Sequence, residues 1–299
     1  MGELLQPQIH RVTCAHPGGL HQIAYREWFD ARHADGGAAP VVVCVHGLTR
    51  RASDFDGIAP VLAAAGCRVI CPDMIGRGDS DCVAQPMLYA IPQYVADCVT
   101  LIARLNVSSV SWIGTSMGGL IGMSYAALTG NPIRRLVLND IGPNLDWVGL
   151  ERIATYVGAV PKFAGYDEAA AWLKLAMAGF GPHDAAGWEL LIRPYFRQTA
   201  DGGWIAHYDP DIAVPFKALM ANRGDPQASA EAMWAMWDGI EAPTMVLRGE
   251  NSDLLSRATC AQMQSRGPRV TLHEVPGVGH APTLISRDQI TPVLQFLLS

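Results

Sequence analysis

A glycine-flanked serine closing an apolar run is where this chain of 299 residues could do chemistry. The stretch Val107 to Ala127 reads V-S-S-V-S-W-I-G-T-S-M-G-G-L-I-G-M-S-Y-A-A, and its apolar part ends in Gly114-Thr115-Ser116-Met117-Gly118-Gly119. Strand, tight turn and helix in that order put Ser116 at the apex of a strained turn, its hydroxyl exposed as a nucleophile must be. Strand and helix nearly touch at such a turn, so the residues two before and two after the apex must be small; Gly114 and Gly118 are. The Met117 N–H, at the start of the helix, offers partial positive charge to an oxyanion. The pattern G-x-S-x-G arises by chance in roughly one chain in ten of this size. Partner residues must therefore decide whether it means catalysis.

A serine hydroxyl is a poor nucleophile until a base takes its proton, and the base needs an anion to orient it and stabilise its charged form. Both partners must lie where Ser116 lies, at the carboxyl ends of strands. Of nine histidines, His280 sits in Gly277-Val278-Gly279-His280-Ala281-Pro282, directly after the last expected strand. His46 also follows a strand, but Gly47 and Leu48 beside it point to a backbone role. His207 and His273 read as surface or packing residues. For the acid, Asp253 is the first choice, in the polar turn Gly249 to Leu255 after the strand Thr244 to Arg248. Asp140, at the end of the preceding sheet strand, is its rival, its other reading being a loop cap. Glu250 and Asp238 rank lower. The order Ser, Asp, His is one found with a G-x-S-x-G turn.

These residues need a frame. Gln8 to Cys14 and Gln22 to Trp28 read as a hairpin about Pro17-Gly18-Gly19. A loose loop from His33 to Pro40 leads to Val41-Val42-Val43-Cys44-Val45, apolar at every position as a strand covered on both faces should be. Ser53 to Ala65 reads as a helix, Arg68 to Cys71 as a strand, and Ile91 to Leu105 as a helix with its apolar face at Val95, Val99, Ile102 and Leu105. After the serine strand and its helix comes another buried strand, Leu136-Val137-Leu138. Alternating strands and helices imply an α/β fold, a mostly parallel sheet with helices on both faces.

The alternation stops from Ile141 to about Ile240, which reads as helical with a small hairpin about Asp201-Gly202-Gly203. It resumes with strand Thr244 to Arg248, helix Arg257 to Gln264, strand Val270 to Val275 and a helix from about Ser286 to Leu298. The expected organisation is a core of 1–140 and 241–299 with an inserted helical cap at 141–240. The cap carries six of the eight tryptophans, Trp147, Trp172, Trp188, Trp204, Trp234 and Trp237. Most should glue helices together; a few could line an apolar pocket over Ser116.

Composition narrows the function classes. Apolar residues at 49% and charged residues at 17% suit a packed globular protein. A net charge of −6 argues against a nucleic-acid surface. Seven cysteines form an odd set without C-x-x-C, and Cys44, Cys71 and Cys98 read as small core residues, pointing to a reducing cytoplasm. The stretch Met1 to Pro7 shows no signal peptide, and no apolar run approaches the ~20 residues of a membrane span. No metal-ligand spacing, phosphate-cradling loop or cofactor motif appears, so cofactor-free chemistry on a small-molecule substrate is expected.

Five motifs in order resemble the α/β-hydrolase fold superfamily, in its serine-nucleophile, esterase- or lipase-like form with a cap. They are His46-Gly47, Pro72-Asp73 through Gly76-Arg77-Gly78-Asp79-Ser80, Gly114 to Gly119, Arg248-Gly249 through Ser252-Asp253, and Gly279-His280-Ala281-Pro282. The resemblance implies an eight-stranded sheet and a second oxyanion donor at the Leu48 N–H; the Pro72 to Ser80 loop is a structural landmark with no assigned catalytic role. Ser116 departs from the aspartate nucleophile of haloalkane dehalogenases and epoxide hydrolases. Ala281 departs from the Trp common after the histidine in C–C bond hydrolases. The expectation is a carboxylesterase-like enzyme with Ser116, His280 and Asp253 as its triad. Lactonase, thioesterase, C–C hydrolase, perhydrolase and non-catalytic receptor roles are the alternatives. A panel of p-nitrophenyl esters separates enzyme from receptor.

Overall fold

The structure is a computed structural model that describes residues 5–30, 39–222 and 226–299. The expected loop at 33–40 lies outside the described residues through position 38, as does the start of the Met1 to Pro7 stretch. Ten strands are described: β1 (Gln8–His16), β2 (Gly19–Trp28), β3 (Val41–Val45), β4 (Arg68–Pro72), β5 (Val110–Thr115), β6 (Ile133–Asn139), β7 (Phe196–Gln198), β8 (Trp204–Ala206), β9 (Thr244–Gly249) and β10 (Val270–Val275). Eight of them form one sheet in the order β1-β2-β4-β3-β5-β6-β9-β10. The hairpin β1–β2 is antiparallel and joins β4 antiparallel; every other pairing in this sheet is parallel.

The apolar runs divide cleanly between the two faces. On β3, Val41, Val43 and Val45 enter one core, while Val42 and Cys44 enter the other. On β6, Leu136 and Leu138 face the first core and Val137 the second. This is why these strands tolerate no polar position: with a period of two, each face needs its own apolar set.

The helices α1 (Ala59–Ala64), α2 (Ile91–Leu105), α3 (Met117–Ala126), α9 (Arg257–Ser265) and α10 (Arg287–Leu298) accompany this sheet. Two expectations need correction. The helix read over 53–65 is a 3-10 turn at Ala52–Phe55 followed by the shorter α1. Gly57 interrupts it and Pro60 fits only the first turn of a new helix. On α2 the buried face runs through Tyr94, Cys98, Leu101 and Leu105, and Val99 is 42% exposed. Tyr94 and Cys98, not Val95 and Val99, set the helix rotation.

Between β6 and β9 lie α4 (Trp147–Tyr156), α5 (Tyr166–Ala176), α6 (Ala185–Ile192), α7 (Ala213–Ala221) and α8 (Pro226–Asp238), with β7 and β8 pairing as a separate antiparallel ribbon. The segment is tied down by large side chains: Trp237 is fully buried and donates from Nε1 to the Arg266 carbonyl at 2.9 Å. Among the described residues no helix is long and apolar enough to cross a membrane.

Candidate active site

The turn after β5 is as tight as its sequence requires. Ser116 has φ 52° and ψ −114°, a left-handed conformation that a serine holds only where its surroundings impose it. A Cβ on Gly118 would stand 1.9 Å from the Val45 carbonyl oxygen, and one on Gly114 would stand 2.3 Å from that of Gly118. Any larger residue at either position would push α3 off the sheet.

His280 arrives from the loop after β10. Its Nε2 is 2.9 Å from Ser116 Oγ. Its Nδ1 is 2.7 Å from a carboxylate oxygen, and that carboxylate belongs to Asp140. The expected partner, Asp253, is elsewhere: Arg152 on α4 grips it in a two-pronged pair, Nε to Oδ2 at 2.5 Å and Nη2 to Oδ1 at 2.8 Å. This corrects the sequence-based choice, and strand register explains it. In the β5–β6 pairing Thr115 lies opposite Asn139. The next residue on each strand is thus Ser116 on one and Asp140 on the other, side by side. Asp253 stands four positions past the end of β9, on a turn that carries it towards the inserted segment.

Asp140 is fully buried and its position is over-determined. Its backbone has φ 57°, its N–H donates to the Leu247 carbonyl, and its Oδ1 accepts from the Gly249 N–H at 2.9 Å. Oδ2 accepts from the Ser252 hydroxyl at 2.6 Å as well as facing His280. Asn139 ties the adjacent loops together. Its carbonyl accepts from the Ser116 N–H, and its Nδ2 donates to Thr115 Oγ1 and to the Pro282 carbonyl.

The Leu48 and Met117 N–H groups donate to no described residue. Both residues are held by the buried Arg77, which sequence reasoning left without a role. Its Nε donates to the Leu48 carbonyl at 2.9 Å, its Nη2 is 3.6 Å from the Met117 sulfur, and its Nη1 reaches Tyr94 and the Ile75 carbonyl. The landmark loop thus braces Leu48 and Met117 through Arg77.

His46 has the backbone role its neighbours implied. Nδ1 donates to the Gly47 carbonyl at 2.8 Å and Nε2 accepts from the Met74 N–H at 3.0 Å. Complete burial, with the nearby arginines adding to it, lowers its pKa to about 3. The unfolded chain therefore binds a proton that the native ring refuses, and the stability His46 supplies is lost as pH falls from about 6.5 towards 3. In denaturant titrations the stability advantage of the parent over His46→Gln is expected to shrink steadily below pH 6.5. A gap that stays constant down to pH 4 would contradict the neutral, buried imidazole.

A sequence profile of the Alpha/beta hydrolase family matches residues 42–290. The chain belongs to the α/β hydrolase family. A relative in Cupriavidus necator, a 3-hydroxybutyrate-oligomer hydrolase, is 46% identical over 296 residues, 97% of each chain. An esterase of Mycobacterium tuberculosis is 24% identical, covering 88% of this chain and 83% of its own. Among solved structures, an α/β hydrolase from Novosphingobium aromaticivorans superposes with a TM-score of 0.86 at 36% identity over 99% of both chains. This α/β hydrolase is an enzyme with the eight-stranded sheet expected of its family.

Two cavities meet at Ser116. The first, about 630 Å³ including its mouth, is bounded by Ser116 and His280 below and by Arg152, Trp172, Phe180 and Tyr195 from the inserted segment. The second, about 850 Å³ including its mouth, runs past Met117 and Leu120 to Ile141, Leu150 and Phe216 and is mostly apolar. Leu48 and Ile153 border both. Of the six tryptophans in the segment, Trp172 alone lines either cavity among the described residues. Away from this site, Cys14, His21 and Asp97 converge on the β1–β2 hairpin and α2 as the one group of metal-capable side chains found among the described residues.

Proposed function

We propose that the enzyme hydrolyses short aliphatic esters through an acyl-enzyme on Ser116, with His280 as base and Asp140 as the orienting acid. The observation that carries this reading is the unbroken chain Ser116 Oγ, His280 Nε2, His280 Nδ1, Asp140 Oδ2, at 2.9 and 2.7 Å. Ser116 Oγ attacks the ester carbonyl carbon while His280 Nε2 takes its proton. The carbonyl oxygen becomes an oxyanion facing the Leu48 and Met117 N–H groups, each contributing about 3 kcal/mol at the transition state. Collapse expels the alcohol, which takes the proton back from His280. Water then attacks the acyl-enzyme with His280 again as base, releasing the acid and restoring Ser116. Asp140 accepts from Nδ1–H throughout, keeping Nε2 free to act.

Segment 141–240 acts in this reading as a cap, since Arg152, Ile153 and Trp172 border the cavities over Ser116. The 46% identical relative carries a name that makes 3-hydroxybutyrate oligomers its substrate. Short oligoesters of 3-hydroxy acids are the substrate class proposed here. The test is a panel of p-nitrophenyl esters of rising acyl length beside 3-hydroxybutyrate oligomers, with organophosphonate labelling read by mass spectrometry. Turnover and a single label on Ser116 are expected. No turnover, or a label on another serine, refutes the assignment.

A further inference from the structure

The first cavity presents two arginines to a substrate, while the carboxylates that balance them stand outside its lining. Arg50 and Arg152 both line it, and among the described residues no Asp or Glu does; Asp54 and Asp253 sit behind the guanidinium groups. The two arginines differ in what they have left to offer. Arg50 is buried, and its nitrogens are all engaged: Nε and Nη2 on Asp54, Nη2 also on the Leu191 carbonyl, Nη1 at 3.5 Å from the Met177 sulfur. Its guanidinium lies 5.4 Å from the Tyr195 ring centre. Arg50 is a bolt between the Leu48 loop and the inserted segment.

Arg152 is different. Its side chain is 38% exposed; the Asp253 fork uses two of the five N–H donors a guanidinium carries and the Tyr156 hydroxyl a third, so donors remain for a ligand. Asp253 holds it in place, which lowers the ordering cost of binding an anion.

The position of His280 gives the cavity a direction. The departing alcohol must collect its proton from His280 Nε2, and His280 lines the first cavity but not the second. Met117 lines the second and not the first. An ester seated on Ser116 therefore sends its alcohol part into the cationic cavity and its acyl part into the apolar one. We infer that Arg152, positioned by Asp253, binds a carboxylate carried on the leaving alcohol, so that the enzyme is selective for esters whose alcohol part is a hydroxy acid with a free carboxylate. The inference rests on the serine-hydrolase reading and adds to it a polarity. Oligoesters would be cut at the ester nearest their carboxylate end.

Binding and turnover test these separately. In a Ser116→Ala background, calorimetry should find the 3-hydroxybutyrate dimer with its free carboxylate bound about 10- to 100-fold tighter than the same dimer capped as the primary amide. Adding Arg152→Gln should bring that ratio close to one, and Arg152→Lys should retain part of it. A merely structural arginine would weaken both ligands alike, so an unchanged ratio in Arg152→Gln overturns the inference, as does equal binding in the Ser116→Ala protein. In the otherwise intact enzyme, the acid-over-amide preference should fall with Arg152→Gln through KM and not kcat. With p-nitrophenyl hemisuccinate, whose carboxylate lies on the acyl side, Arg152→Gln should make no difference relative to p-nitrophenyl butyrate. An Arg152-dependent preference for the hemisuccinate overturns the assigned direction. Failure of the parent enzyme to cleave p-nitrophenyl butyrate at all counts against the hydrolase reading, while the calorimetric ratio still decides the arginine.

Discussion

Asp140→Asn is expected to lower kcat towards a p-nitrophenyl ester by about 10⁴-fold, the loss that the same change brings in another serine hydrolase. The substitution keeps the shape of the side chain and its contact with the Gly249 N–H, so the fold should be retained. What it changes is the sense of the hydrogen bond to His280. An amide nitrogen facing Nδ1 favours the tautomer whose proton sits on Nε2, and that ring cannot accept the Ser116 proton. Asp253→Asn should instead cost less than about tenfold, because a half-exposed ion pair with Arg152 contributes little to the chemistry at Ser116. If the two variants exchange places, His280 finds its acid on the turn after β9 during turnover, contrary to the geometry described.

Ser116→Ala should be the more damaging change still, removing about 10⁶-fold in kcat, as in a comparable nucleophile deletion. Oγ touches His280 Nε2 and, among the described residues, makes no other hydrogen bond that holds the turn together. Alanine meets the same backbone demand at φ 52° as serine does. Thermal unfolding should therefore shift by only a few degrees while turnover disappears. Activity within tenfold of the parent would mean that another nucleophile does the work.

The nucleophile turn was fully legible, because its requirements are local: two glycines at fixed offsets between a strand and a helix. The core strands were legible too, though not their order, since runs such as Val41 to Val45 have no polar side to show to water. The acid was harder, and the reason is specific. Asp140 and Asp253 both follow buried strands, and nothing within either segment says which strand lies beside β5. Register between β5 and β6 decides it, and register is a property of pairing. The signal that was present is that Asp140 follows its strand immediately, as Ser116 follows its own. Arg152 gave no warning either, since its partner lies 101 positions away. The face of α2 is only partly given by its aliphatic residues: Ile102 and Leu105 are buried as expected, but Tyr94 and Cys98 turn the helix so that Val99 faces out.

The pairing of β5 with β6 has a consequence for how such a chain can vary. On the proposed reading, nucleophile and acid are both complete by residue 140, on neighbouring strands joined by one helix, before segment 141–240 begins. Only the histidine has to return from beyond it, on the loop after β10, a strand whose own partner β9 fixes its place. Insertions, deletions or wholesale exchange of the intervening helices thus change what stands over the serine without moving the serine relative to its acid. What the inserted helices contribute to the cavities can therefore change while the pairing of Ser116 with Asp140 stays as it is.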